Sequence, residues 1–196
     1  MTVVAVSGAE VEALLGDVAR LRIEVFREFP YLYEGGTEAE EYYLRSFASA
    51  AGAVLVVARW GAEVVGVSTG LPMAEADEVF QRPLREAGER VEDWFYFGES
   101  VLRADFRGKG VGGRFFDLRE AHAAALGFSR TTFCAVERDA VHPLRPPEYR
   151  PLDGFWTGRG YRKRPEWVAE LGWEQVDSAG LEVMNRLVFW SRELQM

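Results

Sequence analysis

Short β-branched runs alternate with stretches whose apolar residues recur at helical spacing, which predicts a mixture of strands and helices. The segment from Val3 to Val6 predicts a short strand. From Val11 to Phe29 the apolar positions follow the helical period, and Pro30 ends the predicted helix. An aromatic-rich loop from Tyr31 to Gly36 follows, and a second helix is predicted from Glu38 to Ala50.

The middle of the chain predicts a hairpin, a long strand and a further helix. Two β-branched runs flank a short turn, which is the usual signature of a hairpin. A polar stretch with one proline and one glycine predicts a short helical insertion after it. The predicted elements are strands at Ala53–Ala58 and Glu63–Leu71, the insertion at Ala74–Glu92, a strand at Trp94–Leu102, a helix to about Leu126 and a strand at Thr131–Val136.

The last third of the chain begins with an irregular segment. Residues 137–153 contain four prolines and show little periodicity, and connections of this length often line functional sites. Residues 161–194 predict two more strands around a short irregular stretch. The order of these elements predicts an α+β protein with a mixed sheet rather than a regular βαβ repeat.

Composition narrows the class of protein. We expect 196 residues, 48% of them hydrophobic, to form one domain over 1–196 with a sizeable core. A net charge of −8 argues against nonspecific nucleic-acid binding, and no apolar run reaches membrane-spanning length. The first ten residues lack a basic-then-apolar signal pattern, so we expect a cytoplasmic protein.

Cysteine and histidine are scarce. Cys134 is the only cysteine, which excludes an intrachain disulfide and a cysteine metal cluster, and we expect it in the core. His122 and His142 lie too far apart in sequence to suggest a catalytic zinc site, so no metal is predicted. His122 lies on the predicted apolar seam of its helix and is interpreted as a buried structural histidine. The seam consists of Val111, Phe115, Leu118 and Ala125. His142, between Asp139 and Arg145, is a candidate base.

The most informative segment contains four glycines in the six residues from Gly108 to Gly113, just before a predicted helix. Closely spaced glycines let several backbone N–H groups turn toward one point, and the positive end of the helix dipole favours an anion there. Arg107 and Lys109 are suitable counterions for phosphate. The segment therefore predicts a phosphate cradle.

Three phosphate-binding patterns can be tested against this segment. The Walker A pattern fails because no Gly-Lys-Ser/Thr occurs at the right spacing. The dinucleotide fingerprint fits Gly108, Gly110 and Gly113, with Glu137 downstream as a candidate ribose-binding acid. The polar stretch before the glycines and the short remaining chain weaken that pattern. A dinucleotide-binding oxidoreductase nevertheless remains an alternative.

The third pattern is R-x-x-G-x-G, supplied by Arg107, Gly110 and Gly112. With it the chain resembles the GCN5-related N-acetyltransferase (GNAT) superfamily, and the order of predicted elements extends the resemblance over nearly the whole chain. Phe155 to Tyr161 is similar to the aromatic-x-x-x-Gly-aromatic segment of that family. The resemblance implies a mostly antiparallel twisted sheet flanked by helices, the acyl-CoA N-acyltransferase fold.

The resemblance also implies a chemistry: direct transfer of an acetyl group from acetyl-CoA to a small-molecule or peptide amine, without a metal. The pyrophosphate would lie on Gly108, Lys109, Gly110, Val111, Gly112 and Gly113 beside Arg107. The pantetheine arm would run beside the strand that ends at Val101 and Leu102, where a backbone N–H would stabilise the oxyanion. A homodimer is compatible with the sequence, which does not decide the oligomeric state.

Candidate residues for the reaction itself are fewer. Glu99 is the acidic residue best located to accept the proton of the amine, and Tyr31, Tyr33 and Glu34 could form an acceptor wall for a cationic amine. Many relatives have a tyrosine where this chain has Trp156, so the usual proton donor to the thiolate is missing. Tyr149 and Tyr161 are substitutes, although Tyr161 matches the packing aromatic of the motif. A protein that binds acyl-CoA without catalysis is therefore a further alternative.

Overall fold

The computed structural model describes residues 1–7, 9–36, 40, 44–45 and 47–195. Within these residues the chain forms seven strands: β1 Thr2–Val6, β2 Val54–Trp60, β3 Glu63–Pro72, β4 Trp94–Leu102, β5 Arg130–Val136, β6 Arg162–Glu174 and β7 Glu182–Glu193. The helices that can be delimited are α1 Ala9–Glu12, α2 Leu15–Phe26, α3 Glu78–Glu86, α4 Val111–Ala125 and α5 Asp153–Gly158.

The strands form one sheet in the order β1-β2-β3-β4-β5-β7-β6. Only the β4–β5 pair is parallel, and the other neighbouring pairs are antiparallel. This confirms the predicted α+β architecture with a mostly antiparallel mixed sheet. It also excludes the doubly wound parallel sheet that a dinucleotide-binding oxidoreductase would need.

The parallel pair opens after a few residues. Its last paired residues are Tyr96 of β4 and Thr132 of β5. Beyond them β4 stays paired with β3 as far as Leu102, while β5 stays paired with β7 as far as Val136. The two strands therefore diverge, and we call the gap between residues 97–102 and residues 133–136 the central cleft.

Alternating side chains of the sheet fill two core clusters on opposite faces. On β2, Leu55 and Val57 belong to one cluster, whereas Val56 and Ala58 belong to the other. The first cluster includes side chains of α2 and α3, and the second includes side chains of α4. We refer to these faces as the α2 face and the α4 face.

The predicted helix from Val11 to Phe29 is correct in type but not in extent. A turn at residues 13–14 separates α1 from α2, and α2 ends at Phe26, before Pro30. The N–H of Leu14 donates to Val11 O (3.0 Å) and that of Val18 donates to Leu14 O (3.0 Å). These bonds keep the backbone close to helical geometry through the turn. The apolar residues therefore keep their helical spacing there, and the sequence pattern does not reveal where α1 ends and α2 begins.

Two other helices differ from expectation. Part of the predicted helix Glu38–Ala50 lies outside the described residues, while Glu40, Leu44, Arg45 and residues 47–49 are helical. The six-residue helix α5 was not predicted, since so short a segment shows no period. No helix in the described ranges is both long and apolar enough to cross a membrane.

The buried face of α4 also needs correction. Val111 and Phe115 are buried as expected, but Leu118 is half-buried and Ala125 is exposed. Their places are taken by Phe116, Ala123 and, unexpectedly, Arg119, which is only 1% exposed. Apolar periodicity cannot identify a buried arginine, because the pattern scores it as polar.

Candidate active site

The glycine segment follows β4 and its short 3-10 turn, so it lies at the end of β4 that borders the central cleft. Gly108 (φ +71°) and Gly110 (φ +80°) adopt left-handed backbone conformations that favour glycine. A Cβ at either position would meet nothing within 4 Å. The shape of the segment therefore requires glycine for backbone conformation, and space is open beside it.

The first turn of α4 presents its backbone N–H groups beside these glycines. Gly110 is the N-terminal cap residue of α4, and the N–H of Arg114 donates to its carbonyl oxygen (3.2 Å). The preceding N–H groups, of Val111, Gly112 and Gly113, have no intrahelical acceptor, as at every helix start. These three donors and the helix dipole suit a bound phosphate.

Helix α5 borders the same turn. A Cβ on Gly112 would lie 3.8 Å from Phe155 Cζ, and a Cβ on Gly113 would lie 3.9 Å from an Arg159 guanidinium nitrogen. Both are ordinary contact distances, so the fold leaves room for a Cβ at either position. The predicted motif segment thus packs against the glycine segment, although the two are about 40 residues apart in sequence.

The two predicted counterions are located at the cradle but already have partners. The Arg107 guanidinium donates to Glu28 Oε2 (2.7 Å) and to Leu102 O (3.0 Å). The Lys109 ammonium lies 5.3 Å from the centre of the Phe106 ring. An arginine has five N–H donors, so Arg107 retains others for an incoming phosphate.

The end of β4 offers a backbone donor to the cleft. The N–H of Arg103 donates to Val65 O on β3 (3.0 Å). Residue pairs in an antiparallel ladder alternate between hydrogen-bonded and non-bonded pairs. Leu102, opposite Gly66, therefore directs its N–H away from β3 and toward the cleft. Of the predicted pair Val101 and Leu102, Leu102 is the one with this orientation.

Glu99 is buried on β4, only 8% exposed, and shares an arginine with a second carboxylate. Arg22 of α2 forms ion pairs with Glu99 Oε2 (2.9 Å) and with Glu40, which is 2% exposed. The other oxygen, Glu99 Oε1, is buried and accepts no hydrogen bond from the described residues. Two carboxylates thus converge on one guanidinium beside the cleft.

The predicted acceptor residues separate into two groups. Tyr33 joins the carboxylate pair, since burial and then hydrogen bonding to Glu40 raise its pKa to about 12. Burial, followed by the charge of Cys134 and of Glu99, raises the pKa of Tyr31 as well. Glu34 instead forms an ion pair with Arg27. We call Arg22, Tyr31, Tyr33, Glu40 and Glu99 the acceptor-side cluster.

Residues from the second half of the chain hold the loop that carries the two tyrosines. Arg138 donates to Pro30 O (2.7 Å) and Tyr31 O (3.0 Å), and the indole of Trp173 also donates to Tyr31 O (3.1 Å). Sequence reasoning missed Arg22, Glu40 and Arg138, because no local pattern distinguishes them from surface charges. Only their contacts reveal them.

The closed end of the cleft carries Cys134. Its thiol lies 3.3 Å from the Tyr96 hydroxyl, and the residue is 7% exposed, which confirms its predicted core location. Burial raises the pKa of the Cys134 thiol to about 12. The thiol is therefore protonated at neutral pH and is a poor nucleophile.

The remaining aromatic candidates have distinct environments. Trp156 packs against Phe133 and Trp190, each 5.1 Å away between ring centres. Tyr161 is 1% exposed and donates to Glu120 Oε1 (3.0 Å), which confirms it as a packing residue. Burial raises the pKa of Tyr149, whose ring contacts Phe29 edge-on at 4.7 Å.

The two histidines have partners outside the acceptor-side cluster. His122 is half-buried rather than buried, with its Nε2 2.9 Å from Gly52 O, which suits a structural role. His142 Nδ1 accepts the N–H of Leu144 (3.2 Å), and its ring lies 5.7 Å from Phe29. Among the described residues, no group of three or more His, Cys, Asp or Glu could hold a metal ion.

No protein-family profile and no curated protein sequence matches this chain. Solved structures match it along its length. The ribosomal-protein-alanine N-acetyltransferase of Brucella melitensis has a TM-score of 0.63 and 12% identity, covering 99% of this chain and 100% of its own. An aminoglycoside 6'-N-acetyltransferase complexed with coenzyme A has a TM-score of 0.60 and 13% identity, covering 100% and 98%.

A third match is the Salmonella typhimurium protein yncA with its cofactor acetyl-CoA, with a TM-score of 0.61 and 10% identity over 100% of this chain and 96% of its own. Identities this low carry information on the fold alone. These similarities confirm the fold that the resemblance in the sequence implies. The chain has the acyl-CoA N-acyltransferase fold that these solved acetyltransferase structures share.

Proposed function

We propose that this protein transfers an acetyl group from acetyl-CoA directly to an amine acceptor. The observation that carries the proposal is the buried, unpaired Oε1 of Glu99 on the strand that runs into the glycine segment. A carboxylate oxygen buried without a partner is costly, so its retention favours a role in binding or chemistry. The matched structures described with coenzyme A and acetyl-CoA support the choice of donor.

On the donor side, the N–H groups from Gly108 to Gly113 would bind the pyrophosphate, with Arg107 and Lys109 as counterions. The open space beside Gly108 and Gly110 supports this fit, because a phosphate can approach the backbone closely there. Acetyl-CoA supplies the acetyl group, and its thiolate, with a pKa of about 8.5, leaves readily. The N–H of Leu102 would donate to the oxygen of the acetyl carbonyl as negative charge develops on it.

On the acceptor side, Glu99 would accept the proton of the incoming amine. A primary amine has a pKa of about 10.4 and arrives as an ammonium ion, which cannot attack a thioester. The carboxylates of Glu40 and Glu99, with the faces of Tyr31 and Tyr33, suit such a cation. The acceptor is therefore an amine that carries positive charge in solution.

The named acceptors of the matched enzymes, a ribosomal protein and an aminoglycoside, differ widely, so the fold does not identify the acceptor compound.

Direct transfer is favoured over a covalent enzyme intermediate. Cys134 is the only cysteine, and its thiol is protonated and hydrogen-bonded at the closed end of the cleft. The amine would thus attack the thioester itself.

The alternative function is acyl-CoA binding without catalysis. Trp156 favours it, because an indole cannot protonate the leaving thiolate and the ring is packed between Phe133 and Trp190. A direct comparison of coenzyme A binding with turnover on a panel of amines separates the two functions. Binding without turnover would support the alternative.

The donor site is tested most sharply at Gly112. Gly112→Val should abolish coenzyme A binding in calorimetry while the protein stays folded, because a Cβ there would make only an ordinary contact. Gly16 is the matched control, since it too is the second residue of a helix and its Cβ would meet nothing within 4 Å. Gly16→Val should bind coenzyme A normally. Wild-type affinity in Gly112→Val would contradict the donor assignment.

Gly110→Val gives a second test with its own control. At φ +80° a valine is strained, so loss of binding alone could reflect the backbone. Gly127, at the other end of α4, has φ +88° and equally open surroundings. Gly127→Val should lower the free energy of unfolding as much as Gly110→Val does, but it should still bind coenzyme A. Gly110→Val should lose stability and coenzyme A binding together.

A further inference from the structure

A β-bulge interrupts β4 next to the central cleft. Ser68 of β3 pairs with Ser100, and Gly70 pairs with Phe97. One residue on β3, Thr69, therefore lies opposite two on β4, Gly98 and Glu99. We call these two residues the β4 bulge. The last parallel pair of β4 with β5 ends two residues earlier, at Tyr96. The bulge and the opening of the cleft thus occur together.

The bulge changes which face of the sheet each β4 side chain occupies. Phe95 and Phe97 belong to the cluster on the α4 face, as alternation requires. Strict alternation would place Val101, four residues after Phe97, on the α4 face too, but it belongs to the cluster on the α2 face. Glu99 likewise meets Arg22 of α2. Without the extra residue, Glu99 would fall on the same face as Phe97, away from the acceptor-side cluster.

Side chains of β3 hold the backbone of the bulge. The N–H of Glu99 donates to Thr69 Oγ1 (3.0 Å), and the Ser68 hydroxyl donates to Glu99 O (3.1 Å). A Cβ on Gly98 would lie 2.5 Å from Thr69 Oγ1, a distance that atoms do not tolerate. Both polar backbone groups of Glu99 are therefore bound by hydroxyls, and Gly98 leaves the room this needs.

Arg119 completes this arrangement from beneath the sheet. Its guanidinium donates to Thr69 O (3.1 Å) and Phe115 O (3.2 Å) and lies 4.2 Å from the centre of the Phe97 ring and 4.9 Å from that of Phe116. Glu120, the next residue along α4, pairs instead with Arg159 (3.2 Å) and Arg192 (3.1 Å). Burying an arginine without a carboxylate partner is expensive, so this position calls for a specific reason.

We propose that Arg119 is a positioning residue for Glu99. By holding Thr69, the residue opposite the β4 bulge, it keeps the Glu99 backbone in the register that turns its carboxylate toward the acceptor side. Phe97, the residue just before the bulge, is fixed against the same guanidinium. The inference rests on the proposed function for the consequence in catalysis, while the link between Arg119 and the bulge stands on geometry alone.

The test uses the full chain and the variant Arg119→Met, which keeps the length of the side chain and removes the donors. We expect kcat for acetyl transfer to fall by about 10- to 100-fold, because a misplaced catalytic group loses its alignment. The dissociation constant of acetyl-CoA should stay unchanged. In a Glu99→Gln background, Arg119→Met should cause no further loss of kcat, since it acts through Glu99. Additive losses would overturn the proposal.

A gentler variant covers the case in which Arg119→Met does not fold. Thr69→Val removes only the hydroxyl that accepts the Glu99 N–H and should lower kcat, whereas Thr69→Ser keeps the hydroxyl and should restore it. Arg82→Met, at an exposed arginine of α3, controls for loss of a guanidinium and should behave as wild type. Equal activity in Thr69→Val and Thr69→Ser would remove the step from Thr69 to Glu99 on which the proposal depends, and so would overturn it.

Hydrogen exchange at the Glu99 amide gives a readout that does not depend on activity. Arg119→Met and Thr69→Val should each speed its exchange relative to the amides of β2. Unchanged protection in both variants would defeat the inference and leave the proposed function intact. Wild-type kcat in Glu99→Gln would defeat the role of Glu99 as proton acceptor, whereas absence of turnover by the wild-type protein on every amine tested would defeat the proposed function. In either case hydrogen exchange would still test whether Arg119 holds the β4 bulge.

Discussion

The glycine segment and the acceptor-side cluster border the same strand, β4, yet their construction differs. The first is six consecutive residues, Gly108 to Gly113, with open space beside two of its glycines. The second draws Arg22, Tyr31, Tyr33, Glu40 and Glu99 from α2, a loop, a further helical residue and β4. The first uses exposed backbone donors, whereas the second uses buried side-chain charges.

The difference has consequences for mutation. Exposed backbone donors contribute little to folding, so we expect a side chain at Gly112 to disturb the proposed ligand without disturbing the protein. Buried carboxylates on a shared arginine are different, because removing one member leaves charge without a partner. We therefore expect the proposed function and stability to be separable at the glycine segment and coupled at the acceptor-side cluster.

The largest effect should come from Glu99→Gln, which keeps the size of the side chain and removes its basicity. We expect kcat to fall by about 100- to 10,000-fold, as for loss of a general base. Acetyl-CoA affinity should persist, because Glu99 belongs to the acceptor side. Steady-state kinetics with calorimetry would check both, with the exposed Glu86→Gln as control. Loss of acetyl-CoA binding in Glu99→Gln would contradict the assignment of the donor to the glycine segment and of the acceptor to the acceptor-side cluster.

Next in size is the effect of Arg22→Met on folding. Removing the arginine leaves Glu40 and Glu99 buried without its charge, which should lower the free energy of unfolding by about 3–5 kcal/mol. Arg20, two residues away on α2, forms an exposed pair with Asp17 (3.1 Å). Arg20→Met should cost at most about 1 kcal/mol. Urea unfolding at neutral pH measures the free energy of unfolding of both variants. Equal decreases in Arg22→Met and Arg20→Met would show that burial of the ion pair does not determine the loss of stability.

Cys134 gives a smaller effect with a defined pH dependence. Its folded pKa of about 12 lies above the unfolded value of 9, so its contribution to stability is complete below pH 9 and is lost as pH rises toward 12. In Cys134→Ala the free energy of unfolding should therefore fall less between pH 9 and pH 12 than in the wild type. Its kcat should be nearly unchanged. A large fall in kcat would instead favour an acetyl-cysteine intermediate.

The smallest effect concerns the ion pair between Arg107 and Glu28, both of which are nearly half exposed. If Arg107 binds phosphate, Glu28 competes with it. Glu28→Gln should then strengthen acetyl-CoA binding by up to about fivefold, since exposed pairs are worth at most about 1 kcal/mol. The gain should shrink at high salt. Weaker binding would mean that Glu28 orients Arg107 for the ligand.

Much of the fold could be predicted because its determinants are local. The strand Trp94–Leu102 was predicted with its observed bounds, and the hairpin of β2 and β3 was predicted to within a residue or two at each end. The turn within Val11–Phe29 was missed because helical hydrogen bonds continue across it. The short helix α5 was missed because six residues show no period.

For the candidate site, the sequence by itself predicted the phosphate cradle, because glycine spacing and a following helix act through adjacent backbone groups. It also singled out Glu99, through its place on the strand before the glycines. The tertiary structure alone decided which face Glu99 occupies, since that depends on one extra residue opposite Thr69. It alone brought Arg22 and Glu40 to that carboxylate and buried Arg119 beneath it. Charged residues from distant segments carry no local signature, and only packing gives them a common environment.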